Sequence, residues 1–239
     1  MNSIDTRRSI RKYAHRDVSD ELLQSMLAHA EHTQTMGNLQ LYSVVATRDA
    51  ELKKRLAPAH FNQPMVTEAP VVLTFCADFR RTTVWAENRK ATPGYDNFLS
   101  FINAATDALL FCQTFCNIAD EQGLGYCFLG TTIYDPQTII DVLKLPKLVM
   151  GWPDEDPAVS DRLPLKAILH KETFHDYTPE DIDEYYKEKE ALPENRHFVE
   201  INNKETLAQV FTDCRYTKRD NEAMSAGMIE VLKRQGFLK

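Results

Sequence analysis

The sequence lacks the features that mark several large classes of protein. It has no uninterrupted apolar run of about 18 residues, the length that a helix needs to cross a bilayer, so we expect a cytoplasmic protein without a membrane partner. The opening residues, MNSIDTRRSIRKY, carry charges with no apolar segment behind them, which is not typical of a secretory signal. The five cysteines show no C-x-x-C spacing. That pattern favours buried, reduced thiols over a disulfide framework.

Common nucleotide-binding and hydrolase motifs are absent as well. There is no Walker A sequence, no H-E-x-x-H and no G-x-S-x-G. GLGYCFLG contains three glycines, but they follow a predicted helix and precede a predicted strand, the reverse of the Rossmann order. His29 and His32 have no carboxylate or thiol at ligand spacing, so we expect no metal site. The net charge of -7 argues against nucleic acid as the main partner.

What is present is a chain of ordinary apolar content, at 43% hydrophobic residues, with local signals for both helices and strands. Capping residues such as Ser19, Asp49 and Asp135 mark several helix starts. Helices are predicted at about 20–32, 49–56, 96–122, 136–144, 178–190 and 220–236, and strands at 41–47, 71–77, 126–133 and 147–152. PDEDPAVSDRLP, at 153–164, is predicted to be a loop.

The predicted helix at 96–122 is apolar on nearly every side, which favours burial on all faces. At 1.5 Å per residue it would be about 40 Å long, enough to cross a domain or a dimer core. Cys112 and Cys116 are interpreted as core packing on one face of this helix. Asp107, an acid inside the apolar pattern, is either a buried carboxylate or part of a subunit contact, and the sequence leaves both open.

A cluster of arginines near the N-terminus contrasts with the acidic chain. Arg7, Arg8 and Arg11 lie in TRRSIRKY, with Lys12 and Arg16 close behind. Guanidinium groups bind phosphate oxygens through paired hydrogen bonds, and one helical turn would place Arg7 and Arg11 on one face. The residues alone leave two interpretations, a phosphate site and a solvated basic end.

Several separated stretches together resemble the FMN-dependent nitroreductase family, and within it the oxygen-insensitive nitroreductases and NADPH–flavin oxidoreductases. The matching pieces keep the family order: RRSIRKY, TQTMGNLQ, VVLTFCADF, EQGLGYCFLGTTI, LKLP, MGWPDEDPAVSDRLPLKAILHKETF and YTKRDNEA. The resemblance implies an α+β fold, with a central, mostly antiparallel sheet wrapped by helices, in an intertwined homodimer. It implies one nitroreductase-like domain over residues 1–239, with a helical excursion at about 175–203.

The resemblance also implies a set of FMN contacts. Those assigned to the phosphate and ribityl end are Arg7, Arg8, Ser9, Arg11 and Arg162. Those assigned to a loop that often comes from the partner chain are Thr35, Asn38 and Gln40. Those assigned to the flavin ring are Gln63, Phe128, Leu129, Gly130 and Thr131. Glycine at 130 allows close approach of the backbone, where an N–H could donate to flavin N5. No side chain is assigned as catalytic.

The implied activity is transfer of hydride from NADPH or NADH, through bound FMN, to a nitroaromatic, quinone or flavin acceptor in a ping-pong cycle. A non-catalytic FMN-binding or storage protein and a flavin reductase with one dedicated organic substrate remain as alternatives. The sequence departs from the family at three points. Ser160 replaces a lysine, LPKLVMGWP is shorter than in many relatives, and Thr131 replaces a second glycine, which would narrow one flavin face.

Overall fold

The computed structural model describes residues 3–79, 81–83, 86, 97–143, 148–151, 163–164, 167, 177–215 and 217–238. The chain forms two compact units. The first comprises Met1–Ala158 and Met224–Lys239, and the second comprises Val159–Ala223.

The first unit contains a four-stranded sheet. Its strands are β1 (Tyr42–Thr47), β2 (Val71–Ala77), β3 (Gly125–Cys127) and β4 (Leu148–Gly151), in the order β1-β2-β4-β3. Every described pairing is antiparallel, with Val149 opposite both Val72 and Cys127. The predicted antiparallel sheet is therefore confirmed. β4 pairs on both sides although the segment that carries it is short.

The helices of the first unit begin largely where the capping signals predicted. They are α1 (Ser3–Thr6), α2 (Asp20–Ala30), α3 (Ala50–Leu56), α4 (Pro64–Glu68), α5 (Phe98–Glu121) and α6 (Pro136–Leu143). The Ser19 hydroxyl accepts a hydrogen bond from the Leu22 N–H at 3.2 Å, and an Asp49 oxygen accepts one from the Leu52 N–H at 2.7 Å. Each bond satisfies a backbone donor that the first helical turn leaves unpaired.

The second unit is helical in its described part. It contains α7 (Pro179–Ala191), α8 (Pro193–Ile201) and α9 (Leu207–Gln209), followed by a π-helical turn at Val210–Arg215. The predicted helix at 178–190 corresponds to α7, which Thr178 caps through a reciprocal bond pair with Asp181. The last helix, α10 (Lys218–Arg234), begins in this unit and belongs to the first unit from Met224 onward.

The main core of the first unit lies between the sheet, α2 and one face of α5. Phe111 and Phe115 project from α5, and both rings lie 5.8 Å from the ring of Phe75 on β2. The opposite face of α5 stays open in the single chain, where Leu99 is 68% exposed and Leu109 is 62% exposed. The expectation that this helix is buried on every side is thus wrong for one chain, because its apolar surface exceeds what this chain covers.

α5 is also long and apolar enough to pass a length-and-composition test for a membrane span. Core helices of folded domains pass the same test. Here nine of its residues are buried within the chain, including Phe111, Phe115 and Asp107. Packing against the sheet accounts for the apolar residues on this buried face, whereas Leu99 and Leu109 on the other face remain exposed in the single chain.

Asp107 is a buried carboxylate, which settles the choice that the sequence left open. Its side chain is 2% exposed, and its two oxygens accept hydrogen bonds from the backbone N–H groups of Met36 at 3.0 Å and Leu41 at 3.1 Å. The enclosed loop has three residues with positive φ: Gly37 at 56°, Asn38 at 55° and Gln40 at 53°. Residues with a side chain rarely adopt left-handed backbone, because it is higher in energy for them. The hydrogen bonds to Asp107 therefore help to stabilise a loop whose backbone conformation is unfavourable.

One local prediction is wrong, and the condition stated for the arginines is not met. The strand expected at 126–133 ends at Cys127, and Gly130–Ile133 forms a 3-10 turn. Residues 7–16 are not helical, because the Ile10 N–H bonds to the carbonyl of Tyr126 at 2.9 Å and places this segment beside β3. Arg7 and Arg11 therefore do not share a helical face. Residues 153–162 of the predicted loop lie outside the described part of the chain.

Replacing Asp107 by asparagine should lower the free energy of unfolding of the apoprotein by about 2–3 kcal/mol. Asparagine keeps one acceptor oxygen but turns an NH2 donor toward one of the two backbone donors. Urea unfolding followed by circular dichroism measures the change. The matched control is Asp49→Asn, at an exposed cap where asparagine serves as well as aspartate. The free energy of unfolding of the Asp49→Asn variant should stay within about 0.5 kcal/mol of the wild-type value. Equal effects of the two substitutions would contradict this role of Asp107.

Candidate functional site

The N-terminal segment packs tightly against β3. Besides the bond from Ile10 to Tyr126, Gly125 lies so close to Ile10 that a Cβ on the glycine would come within 2.8 Å of that side chain. Any larger residue at 125 would force the two segments apart. This contact carries the arginine cluster to the edge at which β3 continues into Phe128 and Gly130.

The three arginines have different surroundings. Arg7 lies near Asp120 and the Tyr126 hydroxyl. Burial raises the pKa of Asp120, and the positive charges of Arg7 and Arg8 oppose that increase. Burial likewise raises the pKa of Tyr126 to about 12, against the lowering effect of Arg7. Arg11, in contrast, is exposed, and its Nη1 donates a hydrogen bond to the Ser9 carbonyl at 3.4 Å.

The segment with Gln63 forms a second side of the candidate site. Ala57–His60 is a 3-10 turn, and Phe61 and Asn62 follow it with positive φ, both 53°. This reversal leads into Gln63, whose N–H bonds to the His60 carbonyl at 3.1 Å. Gln63 is half-buried at the start of α4.

The Phe128–Thr131 segment lies against this second side. The His60 Nδ1 is 2.7 Å from the Thr131 hydroxyl oxygen, and the rings of Phe61 and Tyr134 lie 6.1 Å apart. The side chain of Phe128 is 48% exposed, while Leu129 is buried.

Gly130 is exposed, and a Cβ on it would meet nothing within 4 Å. The packing of this chain gives no reason for a glycine there. The absence of a side chain at Gly130 leaves its backbone accessible from outside the chain.

The loop with Thr35, Asn38 and Gln40 lies elsewhere in the same chain. Asp107 on α5 holds that loop, whereas Asp120 near the end of α5 lies beside Arg7. Thirteen residues separate the two acids, which corresponds to about 20 Å along a helix. The structure thus brings together Arg7, Arg8, Ser9, Arg11, Gln63 and the 128–131 segment, but not this loop. Arg162 lies outside the described residues.

Three residues near the candidate site were not predicted from the sequence: His60, Asp120 and Tyr126. His60 is fully buried, and its partner Thr131 is 71 positions away. No local pattern in APAHFNQ indicates that contact. Asp120 sits at the polar end of an apolar helix, where an acid is ordinarily solvated.

The cysteines provide no nucleophile among the residues described around this site. Cys76, Cys112, Cys116 and Cys127 are buried, as expected, while Cys214 is exposed. Burial raises the pKa of the Cys76 thiol to about 12. A hydrogen bond with Cys116, together with burial, also raises the pKa of Cys112. Thiols with raised pKa values stay protonated and unreactive near neutral pH.

Comparison with known proteins gives this geometry a family. Residues 4–152 match the model of the Nitroreductase family. The chain is 32% identical to the FMN reductase [NAD(P)H] of Bacillus subtilis (strain 168) over 186 residues, covering 73% of this chain and 74% of that protein.

Two solved structures share the fold along nearly the whole chain. A crystal structure from Bacteroides fragilis NCTC 9343 has a TM-score of 0.98 at 56% identity and covers 100% of both chains. The structure of Bacillus megaterium NfrA1 has a TM-score of 0.83 at 28% identity and covers 99% of this chain and 98% of its own. The chain belongs to the Nitroreductase family.

Proposed function

We propose that this protein is an NAD(P)H-dependent oxidoreductase that uses FMN and reduces nitroaromatic, quinone or flavin acceptors in a ping-pong cycle. The observation that carries the proposal is the convergence of three segments, the arginine segment, the Gln63 segment and the Phe128–Thr131 segment, in a member of the Nitroreductase family. A relative of 32% identity is an FMN reductase [NAD(P)H]. When bound, FMN supplies the chemistry by accepting hydride from the nicotinamide and passing electrons to the acceptor.

The residues of this chain fit the demands of such a cofactor. Exposed Arg11 offers a guanidinium fork to the phosphate, with Arg8 and Ser9 beside it. The open backbone at Gly130 allows a planar ring to approach, and its N–H can donate to the flavin edge. Gln63 offers a polar side chain at the opposite side. These residues bind and orient the cofactor, and none of them is needed to transfer a proton, because solvent can supply it.

We further propose that a complete site needs two copies of the chain. Thr35, Asn38 and Gln40 lie on a loop that Asp107 holds about 20 Å from the Asp120 end of α5. The exposed apolar face of α5, which includes Leu99 and Leu109, is the kind of surface that a homodimer buries. In such a dimer the loop of one subunit would complete the site of the other.

The domain organisation is part of the same proposal. One nitroreductase-like domain would span residues 1–239, and the range 175–203 would be a helical excursion. α7 and α8 lie within that range and expose the apolar side chains of Ile182 and Ile201. Exposed apolar groups on a polar excursion suit contact with a second subunit.

The purified protein, once reconstituted with FMN, should be yellow, and NADPH or NADH should bleach the flavin absorbance under anaerobic conditions. Admitting a quinone or nitroaromatic should then restore the absorbance. Protein that binds no FMN would contradict the proposal. Bound flavin that neither nicotinamide bleaches would favour the storage alternative, and turnover with one organic acceptor only would favour a dedicated substrate.

Arg11→Ala should weaken FMN binding by about 10- to 150-fold, because it removes a charged hydrogen bond worth about 1.5–3 kcal/mol. Quenching of FMN fluorescence on binding measures the dissociation constant. Arg55→Ala provides the control, since Arg55 is an exposed arginine on the surface of α3. Unchanged affinity in the Arg11 variant would remove this residue from the proposed phosphate site.

Leu109→Glu should convert a dimer into monomers and weaken FMN binding at least about tenfold, since an unpaired charge in an apolar interface is strongly unfavourable. Light scattering after size-exclusion chromatography reports the mass. Ala50→Glu adds the same single negative charge at an exposed position of α3 and should leave the mass unchanged. A wild-type protein that runs as a monomer with full FMN affinity would contradict the two-copy site.

A further inference from the structure

A fully buried histidine joins two of the segments that form the proposed flavin site. His60 is 0% exposed, and its Nδ1 lies 2.7 Å from the hydroxyl oxygen of Thr131. Its own carbonyl accepts a hydrogen bond from the Gln63 N–H at 3.1 Å. One residue therefore contacts the 128–131 segment through its side chain and the Gln63 segment through its backbone.

We propose that His60 is a positioning residue that fixes the spacing of these two segments and the orientation of the Thr131 side chain. The inference rests on the proposed function, because it concerns residues assigned to the flavin. His60 would act through Thr131 and Gln63 and would not itself touch the cofactor.

The local backbone explains why a buried side-chain contact is needed here. Phe61 and Asn62 both have φ of 53°, a conformation that residues with side chains rarely adopt. The backbone would leave this conformation if the residues before Phe61 were free to move. The hydrogen bond between the buried imidazole and Thr131 holds the start of this reversal in place. The contact between the Phe61 and Tyr134 rings lies on the exposed side of the same junction.

The same bond determines what Thr131 presents to the outside. A threonine has its hydroxyl and methyl on one tetrahedral carbon, so an oxygen held toward His60 turns the methyl group away from it. Thr131 is half-buried and follows exposed Gly130. The methyl group is thus the part of the side chain that can narrow the approach to the flavin. We expect it to lower kcat/KM most for bulky acceptors.

Four variants separate these roles. His60→Leu removes the hydrogen bond and keeps an apolar volume in the core, whereas His60→Asn retains a polar atom near the Nδ1 position. Thr131→Val removes the hydroxyl, and Thr131→Ser retains it while removing the methyl. Thr67→Val is the matched control, since Thr67 is exposed and its hydroxyl donates a local hydrogen bond to the Pro64 carbonyl at 3.1 Å within α4.

Two measurements on these variants test the positioning role: urea unfolding of the apoprotein and the FMN dissociation constant. We expect His60→Leu and Thr131→Val each to weaken FMN binding about tenfold, and the double variant to be no weaker than the poorer single variant, because both remove one shared bond. The FMN dissociation constant of His60→Asn should stay within about threefold of the wild-type value, and that of Thr67→Val should equal the wild-type value. The apoprotein unfolding energies should show the same non-additivity.

The acceptor test uses 1,4-benzoquinone and menadione. Thr131→Ser should raise kcat/KM for menadione relative to benzoquinone by about tenfold, the lower end of the effect expected for one methyl contact. If the wild-type protein binds FMN but the effects of His60→Leu and Thr131→Val are additive in both assays, the positioning role of His60 is wrong and the proposed function stands. Wild type that binds no FMN would overturn the proposed function and this inference with it.

Discussion

The two hydrogen bonds that Asp107 accepts from Met36 and Leu41 anchor the described part of the first unit at its long helix. A buried carboxylate without partners would be strongly unfavourable, so the loop and the helix stabilise each other. The same helix packs Phe111 and Phe115 against the sheet and ends with Asp120 beside Arg7. α5 therefore fixes the loop, the sheet and the N-terminal segment in one rigid frame.

This frame also explains why one chain does not assemble the whole proposed site. A straight helix keeps its ends apart, and the thirteen-position offset from Asp107 to Asp120 corresponds to about 20 Å between the loop and the arginine segment. The exposed apolar face that includes Leu99 and Leu109 runs along the same helix. In the proposed dimer, burial of this face and completion of the site would occur together. Dimer formation and cofactor affinity would then be linked, since FMN would bind the associated state preferentially.

How far the sequence could predict this structure depends on the range of each interaction. The starts of α2, α3 and α6 were predictable, because each cap bonds to a residue three positions away. The extended path of Arg7–Arg16 depends on Ile10 pairing with Tyr126, 116 positions later, which no local pattern encodes. The contact between His60 and Thr131 could not be predicted either, because the two residues are 71 positions apart. The family resemblance assigned the other site residues to parts of FMN, but it did not indicate which residues of this chain contact one another.

The structure also sharpens the question of how many cations remain for a phosphate group. Ser160 stands where the resemblance leads us to expect a lysine, so the proposed phosphate site has one cation fewer. Arg7 lies near Asp120, whose pKa is raised because the effect of burial exceeds the lowering effect of the positive charges of Arg7 and Arg8. Whenever Asp120 is ionised, its charge offsets part of the positive charge of these two arginines. Arg11 is exposed on the same segment, which is why we propose it as a contact for the FMN phosphate.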